Sequence, residues 1–336
     1  MQVLTGYHHD HSHNLNKEGA YEWWYVDALS EDAEWGVVMI IFRGMPMSPD
    51  YLDQPHDVAA GYSLSVYHRG VRVAFAFAGA PLAASRFSDA YAGATVGLAS
   101  FTRQQDGSMT FVINAPCKGI GRSAFVSVTL DGKGAQPSPE SFTDDHAWIL
   151  AAPRSAAEVE IRLSEGRKLM ANVSFATLAY HDHNMGRRAM SADFHDWYWG
   201  RIHTRDRTFI YLATPNVPKP FSWVGEVDRH GLVVPWTDVT IAYERPWMSY
   251  MGLRFHKRVV MKGIDAGGLR SVVVCQNARA SENGPFYQRY VSRWKFNGMP
   301  IGSGTSEYMD LQRLNETWIR PFLRLPWKTI TTGDSQ

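Results

Sequence analysis

Residues 180–186 concentrate side chains that can donate, accept or relay protons. Their sequence, Tyr-His-Asp-His-Asn-Met-Gly, brings a phenol, a carboxylic acid, two imidazoles and an amide together, and Trp197-Tyr198-Trp199 follow downstream. An unpaired polar group costs about 1–3 kcal/mol to bury, so this segment needs partners inside a protein. Polar groups beside large aromatic rings are typical of a mostly apolar ligand pocket. We therefore expect Asp182 to act as an acid in such a pocket.

Asp182 can donate a proton at neutral pH only if its pKa is raised, because an exposed Asp has a pKa of about 3.9. Burial among apolar and aromatic side chains raises a carboxyl pKa. Successive side chains of a strand face opposite sides, so Asp182 shares its face with Tyr180 and Asn184. His181 and His183 then point away from Asp182. The alternative is a structural carboxylate that accepts backbone hydrogen bonds.

Short strands and turns account for most of the remaining sequence. Aromatic residues make up 13% of the chain, which favours β-structure and large apolar surfaces. Residues 22–28 and 35–42, separated by an acidic turn, predict a hairpin. Similar runs and turn pairs recur to residue 309, and only 191–196 and 309–319 suggest short helices. This pattern predicts antiparallel sandwiches or barrels.

Length and charge predict two domains. The chain has 336 residues, and one core usually stops growing at roughly 250–300 residues. The strands also outnumber those of a small barrel that holds one ligand. Residues 1–187 contain 14 Lys and Arg against 20 Asp and Glu, whereas residues 188–336 contain 20 against 13. We therefore expect one β-barrel over residues 1–187 and a second over residues 188–336.

Several classes of protein are disfavoured by the sequence. There is no Lys/Arg run typical of nucleic-acid binding, no phosphate-binding loop and no serine nucleophile elbow. Cys117 and Cys275 read as reduced core thiols of a cytoplasmic protein. The N-terminus lacks a signal-peptide core, and no segment has the ~18–20 apolar residues of a membrane span. Residues 318–328 fit either contact with a membrane surface or packing on the second barrel.

A series of motifs, in a characteristic order and spacing, extends over most of the chain. They are Glu22-Trp23-Trp24-Tyr25-Val26-Asp27-Ala28-Leu29, His146-Ala147-Trp148, the segment 180–186, Asp193-Phe194 with Trp197-Tyr198-Trp199, and Ser306-Glu307-Tyr308-Met309-Asp310. Together they resemble the hydroxyneurosporene synthase family, the carotenoid 1,2-hydratases. The resemblance implies an all-β fold of two tandem lipocalin-like antiparallel β-barrels with a ligand cavity near their junction. It also implies chemistry on an isoprenoid alkene with no metal and no cofactor.

The resemblance assigns roles to particular residues. The His-x-Trp pair of the family matches His146 and Trp148, and its Tyr-x-Asp pair matches Tyr180 and Asp182, the Asp being the proposed proton donor. We expect Asp182, His146 and Tyr180 to be catalytic, with His146 orienting Asp182 or holding water. Aromatic faces stabilise a cation by roughly 0.5–2 kcal/mol each. The expected substrate-binding residues are Trp148, Trp24, Trp197, Trp199 and Asn184.

Three functions remain open at this point, because one fold supports many activities. The leading hypothesis is acid-catalysed hydration of an alkene in a hydrophobic isoprenoid or terpenoid. The second is a terpenoid cyclase of the same fold, in which another group of the substrate captures the cation. The third is a non-catalytic protein that binds an apolar ligand. We expect no nucleic-acid partner.

Histidine clusters raise the question of a metal. His181 and His183, together with His146, could form a three-histidine set. The N-terminal histidines read as a metal site, a flexible cap over a pocket or a solvated terminus; they are His8, His9, His11 and His13. Because such spacings are common in a chain with 13 His and the resemblance implies metal-free chemistry, we expect no metal.

Overall fold

The computed structural model describes residues 1–15, 17–49, 51, 59–217, 220–277 and 280–323. Strands dominate these residues, which confirms the all-β prediction. Short helical turns in this part of the chain include Tyr7–His9, Leu82–Ala84, Met190–Ala192, Leu311–Asn315 and Arg320–Leu323. None of the helices described is long and apolar enough to cross a membrane. The predictions for residues 324–328 lie outside the described residues.

The first compact unit, Met1–Met190, contains one sheet. Its strands are β1 (Gln2–Thr5), β2 (Tyr21–Leu29), β3 (Trp35–Arg43), β4 (Ala59–His68), β5 (Val71–Pro81), β6 (Arg86–Phe87), β7 (Gly93–Val96), β8 (Ala99–Arg103), β9 (Met109–Pro116), β10 (Arg122–Leu130), β11 (His146–Glu165) and β12 (Lys168–Gly186). The strand order is β5-β4-β3-β2-β12-β11-β10-β9-β8-β7-β6, and β1 pairs with β11 in parallel. The sheet curves into a half-barrel.

The second unit, Ser191–Leu323, contains the other sheet. Its strands are β13 (Asp196–His203), β14 (Thr208–Thr214), β15 (Phe221–Val227), β16 (Val233–Pro235), β17 (Thr237–Met248), β18 (Arg254–Ile264), β19 (Arg270–Gln276), β20 (Ala280–Asn283), β21 (Tyr287–Phe296) and β22 (Met299–Asp310). The order is β16-β15-β14-β13-β22-β21-β19-β18-β17, and β20 pairs with β21. This sheet forms a nearly closed barrel. Close to β17, the backbone N–H of Trp236 donates a hydrogen bond to the Val224 carbonyl of β15 (2.8 Å).

The boundary between the units lies between Met190 and Ser191, whereas the sequence placed it after residue 187. The assignment of residues 1–187 and 188–336 as two domains stays a prediction, since the C-terminal residues lie outside the described part. The Glu22 hairpin is present as predicted, because β2 and β3 pair in antiparallel from Glu22–Arg43 to Leu29–Gly36. Asn297 and Gly298 both adopt positive φ angles in the turn between β21 and β22, as a tight hairpin requires.

Each unit has a core of its own. In the first unit one face of the sheet buries apolar side chains such as Trp24, Val26, Met39 and Phe111. Alternation therefore sends Trp23, Tyr25 and Asp27 to the opposite face. In the second unit the core includes Tyr211, Phe255, Met261 and Trp294. We call the two sides of the first sheet its core face and its opposite face.

Candidate active site

Three neighbouring strands position the residues that sequence reasoning placed in the active site. Strand β12 lies between β2 and β11. Asp182 is paired with Tyr25 of β2, and Asn184 is paired with Trp148 of β11. Directly opposed residues in a sheet point to the same side. Because Tyr180, Asp182 and Asn184 alternate along β12, all of these side chains share the opposite face of the sheet.

The carboxyl group of Asp182 is buried and hydrogen-bonded. Its side chain is 4% exposed. Oδ2 accepts hydrogen bonds from the Tyr180 hydroxyl (2.6 Å) and from the Trp148 indole Nε1 (2.8 Å). Oδ1 accepts one from Asn184 Nδ2 (2.9 Å). The predicted residues Trp148, Tyr180 and Asn184 are therefore brought together around Asp182, and they fix the position of its two oxygens.

Tyr180 is present as a neutral phenol. Burial, and next the negative charge of Asp182, raise the pKa of Tyr180 well above its ordinary value. The Trp148 Nε1 also lies 3.2 Å from the Tyr180 oxygen. Since the hydroxyl keeps its proton, Tyr180 can act as a hydrogen-bond donor to Asp182. The ring of Tyr25 meets the Tyr180 ring edge to face, with centroids 6.0 Å apart.

His146 is buried at the beginning of β11. Its Nδ1 lies 2.9 Å from the hydroxyl of Tyr21. The register places His146 opposite Gly186. Gly186 lies four positions along β12 from Asp182, which corresponds to roughly 13 Å at the rise of a strand. A side chain added at Gly186 would lie only 2.6 Å from His146 Nδ1, so glycine makes room for the imidazole. The role of His146 in orienting Asp182 or holding water stays a prediction.

Trp24 does not lie on the face of the sheet that carries Asp182. It is fully buried in the core of the first unit, where its Nε1 donates to the Asp10 carbonyl (2.9 Å) and its ring stacks on His183 at 4.4 Å. This arrangement does not support the expected contact of Trp24 with a substrate held at Asp182. Strand alternation is the reason, and it puts Trp23 and Tyr25 on the side of Asp182 instead. Three consecutive aromatic residues, Trp23-Trp24-Tyr25, already imply this, because in a strand the middle ring faces away from its two neighbours.

His181 and His183 point to the core face, in agreement with the alternation argument. His181 Nε2 lies 2.8 Å from Asp10 Oδ2, and its Nδ1 lies 2.8 Å from the Tyr25 carbonyl. Burial alone would lower the pKa of His181, but the neighbouring Asp10 outweighs it and raises that pKa. Burial lowers the pKa of His183, against an opposing contribution from Glu22. These imidazoles therefore differ in charge preference although they are two residues apart.

A group of side chains whose geometry could hold a metal ion is present among the described residues, and it differs from the set considered from the sequence. It consists of His13, Glu22 and His183, whose ligand atoms all lie within 4.8 Å of one another. His183 thus combines with the N-terminal segment and β2. His13 and His183 belong to two separate histidine groups in the sequence, and no local sequence pattern places Glu22 beside them.

The second unit contains Trp197 and Trp199 on β13. Trp197 Nε1 donates to Glu307 Oε1 (3.3 Å). The residues between and beside them, Asp196 and Tyr198, line a cavity of about 770 Å³ in the same unit. Alternation puts Trp197 and Trp199 on the other face of β13 from this cavity. Their contact with substrate stays a prediction.

Aromatic and acidic groups characterise the cavity of the second unit, which the sequence did not identify. Tyr198 lies between Tyr243 and Tyr308, with ring centroids 4.7 and 4.5 Å away. Asp196 accepts a hydrogen bond from Asn216 Nδ2 (2.7 Å), and burial raises the pKa of Asp196. The pairing of β13 with β22, which brings Tyr308 beside Tyr198, is the long-range information that was missing.

Comparison with known proteins gives a family for this chain. Residues 138–332 match the model of the family described as carotenoid hydratase CrtC. A hydroxyneurosporene dehydrogenase from Chlorobaculum tepidum is 25% identical over 326 residues, which cover 87% of this chain and 82% of that protein. An acyclic carotenoid 1,2-hydratase from Rhodobacter capsulatus is 25% identical over 224 residues, covering 62% and 68%.

Solved structures share the architecture. An AttH protein from Nitrosomonas europaea aligns with a TM-score of 0.63 at 14% identity, covering 89% of this chain and 94% of its own. The protein CghA, in complex with Sch210972, aligns with a TM-score of 0.60 at 13% identity, covering 87% and 89%. At such identities these structures show the fold, which is lipocalin-like as the resemblance implied. The chain belongs to the carotenoid hydratase family and is an enzyme of the hydro-lyase class.

Proposed function

We propose that this protein adds water to an alkene of a hydrophobic isoprenoid or terpenoid, with Asp182 as the proton donor. The observation that carries the proposal is the buried Asp182 carboxyl, in which Oδ2 is held by Tyr180 and Trp148. The family supports the reaction class, and the names of the two relatives support an acyclic carotenoid or similar substrate. Hydration moves only a proton and a water molecule, so side chains of this chain can supply the chemistry without a cofactor.

The first step transfers a proton from Asp182 to the alkene and leaves a tertiary carbocation. Oδ2 accepts two hydrogen bonds, so it corresponds to the carbonyl oxygen of the neutral acid. The proton is then carried by Oδ1. An amide presents a donor or an acceptor depending on which way it is turned. Asn184 can therefore accept from protonated Oδ1 before the transfer and donate to it afterwards, as it does at 2.9 Å here.

The hydrogen bonds of Tyr180 and Trp148 make Asp182 a stronger acid at the moment of reaction. Burial disfavours the ionised carboxyl in the resting enzyme. Both donors are already in place when negative charge develops on Asp182, so their stabilisation requires no reorganisation. Burial thus favours the neutral acid, and the two hydrogen-bond donors favour the carboxylate that forms as the proton leaves.

The cation must survive until water reaches it. The indole of Trp148 and the ring of Tyr25 lie on the same face of the sheet as Asp182, and each aromatic face stabilises a cation by roughly 0.5–2 kcal/mol. Water then forms the new C–O bond, and its surplus proton returns to the Asp182 carboxylate. His146 and Tyr180 are the residues proposed to place this water. The product is a tertiary alcohol and the acid is regenerated.

The test compares two buried carboxyl groups. Asp182→Asn should abolish product formation from an acyclic isoprenoid alkene, whereas Asp196→Asn, in the cavity of the second unit, should retain it. Asp196 is a matched control because it also accepts hydrogen bonds from an amide and a tyrosine. Wild-type turnover by Asp182→Asn would refute the mechanism. Product mass distinguishes hydration, which adds one water, from cyclisation, which leaves the mass unchanged; binding without turnover would indicate a carrier.

A further inference from the structure

Buried imidazole and carboxylate atoms lack hydrogen-bond partners behind the active-site strand. On the core face of the first unit, His183 has no partner at either ring nitrogen, and His13 has none at Nδ1. Asp10 Oδ1 also has no hydrogen-bond partner. None of these atoms has a hydrogen-bond partner among the residues that the structure describes. Since each unsatisfied buried polar group costs about 1–3 kcal/mol, so many in one place indicate that a ligand belongs there.

Two of the three distances between these ligand atoms are close to those of a tetrahedral metal ion. Glu22 Oε1 lies 3.4 Å from His13 Nδ1 and 3.6 Å from His183 Nε2. Zinc bonds of about 2.0–2.1 Å in a tetrahedron require ligand atoms about 3.3–3.4 Å apart. An octahedral ion with bonds of about 2.1 Å requires neighbouring ligands about 3.0 Å apart. These two distances are longer than an ordinary hydrogen bond of about 2.7–3.2 Å and close to the tetrahedral value.

We propose that His13, Glu22 and His183 form a binding site for a divalent transition-metal ion, with Zn²⁺ as the best fit. Two imidazoles and one carboxylate are preferred ligands of zinc, whereas magnesium and calcium prefer oxygen alone. The three ligand atoms lie within 4.8 Å of one another, so a small movement of the His13 ring completes the triangle. The fourth position is filled by water.

Carboxylate and donor groups lie beside two of the three ligands, His183 and Glu22, in the positions that orient ligands in metal sites. Asp10 lies between two imidazoles: its Oδ1 is 3.7 Å from His183 Nδ1, and its Oδ2 is 2.8 Å from His181. Such a carboxylate–histidine pair leaves His183 Nε2 for the ion. On the other side, Glu22 Oε2 accepts hydrogen bonds from Arg43 (3.0 Å) and Ser12 (2.8 Å). Glu22 Oε1 accepts one hydrogen bond, from the backbone N–H of His13 (2.6 Å), and its second lone pair remains for coordination.

The ion would join three segments that are distant in sequence. His13 belongs to the segment before β2, Glu22 to β2, and His183 to β12 next to Asp182. Because Asp182 and His183 are consecutive, the ion would hold β12 from the core face while Asp182 faces the other way. The proposed role is structural, so it is independent of the mechanism of hydration.

The test uses full-length protein without a histidine tag. After removal of bound metal with a chelator, we expect one equivalent of Zn²⁺ or Co²⁺ to bind per chain, and Co²⁺ to give the intense visible absorption of tetrahedral coordination. His13→Ala should lose this binding. His11→Ala, a matched control in the same segment whose ring stacks on His13 at 4.6 Å, should keep it. Asp10→Asn should weaken the affinity by about 10- to 100-fold.

Three outcomes would overturn the proposal: no stoichiometric binding by the wild type, equal binding by His13→Ala and the wild type, or loss of binding in His11→Ala with retention in His13→Ala. The last result would assign the metal to the other N-terminal histidines. Circular dichroism of each variant separates loss of binding from loss of folding, and the Co²⁺ spectrum of the wild type decides the coordination geometry even if a variant does not fold.

Discussion

Replacing Tyr180 by Phe removes a single oxygen from the proposed acid site. That oxygen donates at 2.6 Å to Asp182 Oδ2 from a fully buried position. A hydrogen bond to a charged group contributes about 1.5–3 kcal/mol, and each 1.36 kcal/mol corresponds to about tenfold in rate. If the bond stabilises the carboxylate formed in the transition state, kcat should fall about 10- to 150-fold. Trp148 still donates to the same oxygen, so the fold should be kept.

The assay for Tyr180→Phe is the pH dependence of the initial rate of alcohol formation. Loss of a donor to the ionised form raises the pKa of a carboxyl, so the alkaline limb of the profile should move to higher pH as kcat falls. Tyr62→Phe is the matched control, because Tyr62 is also a buried tyrosine of the first unit but lies in its core. An unchanged kcat, or an equal loss in the control, would refute the role given to Tyr180.

Three further predictions concern the two faces of the first sheet. Trp148→Phe removes the second donor to Asp182 and should lower kcat by about 10- to 100-fold with the fold intact, as steady-state kinetics would show. Trp24→Phe should instead lower the free energy of unfolding by about 1–3 kcal/mol, measured by urea denaturation, with kcat of the folded enzyme retained. The pKa of His181 is raised, so its pairing with Asp10 stabilises the fold below the ordinary histidine pKa; this contribution is lost as pH rises through the raised value. Asp10→Asn should remove this pH dependence of the melting temperature.

Local patterns were sufficient to predict much of the candidate site. Alternation along residues 180–184 separated Asp182 from His181 and His183, and the structure has the same division. This succeeded because a strand has a period of two whatever its neighbours are. Strand β11 is less regular, because its register with β12 shifts between Ile149 and Ala152 and again between Ala152 and Ser155, which alternation alone does not predict.

The remaining features depended on which strands are neighbours. Trp24 was assigned to the substrate because periodicity does not say which face of β2 meets Asp182; the pairing of Asp182 with Tyr25 decides it. The group of His13, Glu22 and His183 combines three segments, and the cavity beside Asp196 depends on the pairing of β13 with β22. Such long-range pairings are set by the packing of the whole sheet, so no local pattern contains them.

The most direct test of Asp182 as the acid of a hydration reaction follows solvent oxygen and solvent hydrogen into the product. Wild-type enzyme and Asp182→Asn are incubated with an acyclic isoprenoid alkene in deuterium oxide that is also enriched in heavy oxygen. We predict that the wild-type product contains one solvent oxygen and one carbon-bound deuterium, and that Asp182→Asn forms none of it. A wild-type product with deuterium but no solvent oxygen, or a doubly labelled product from Asp182→Asn, would contradict the proposed mechanism.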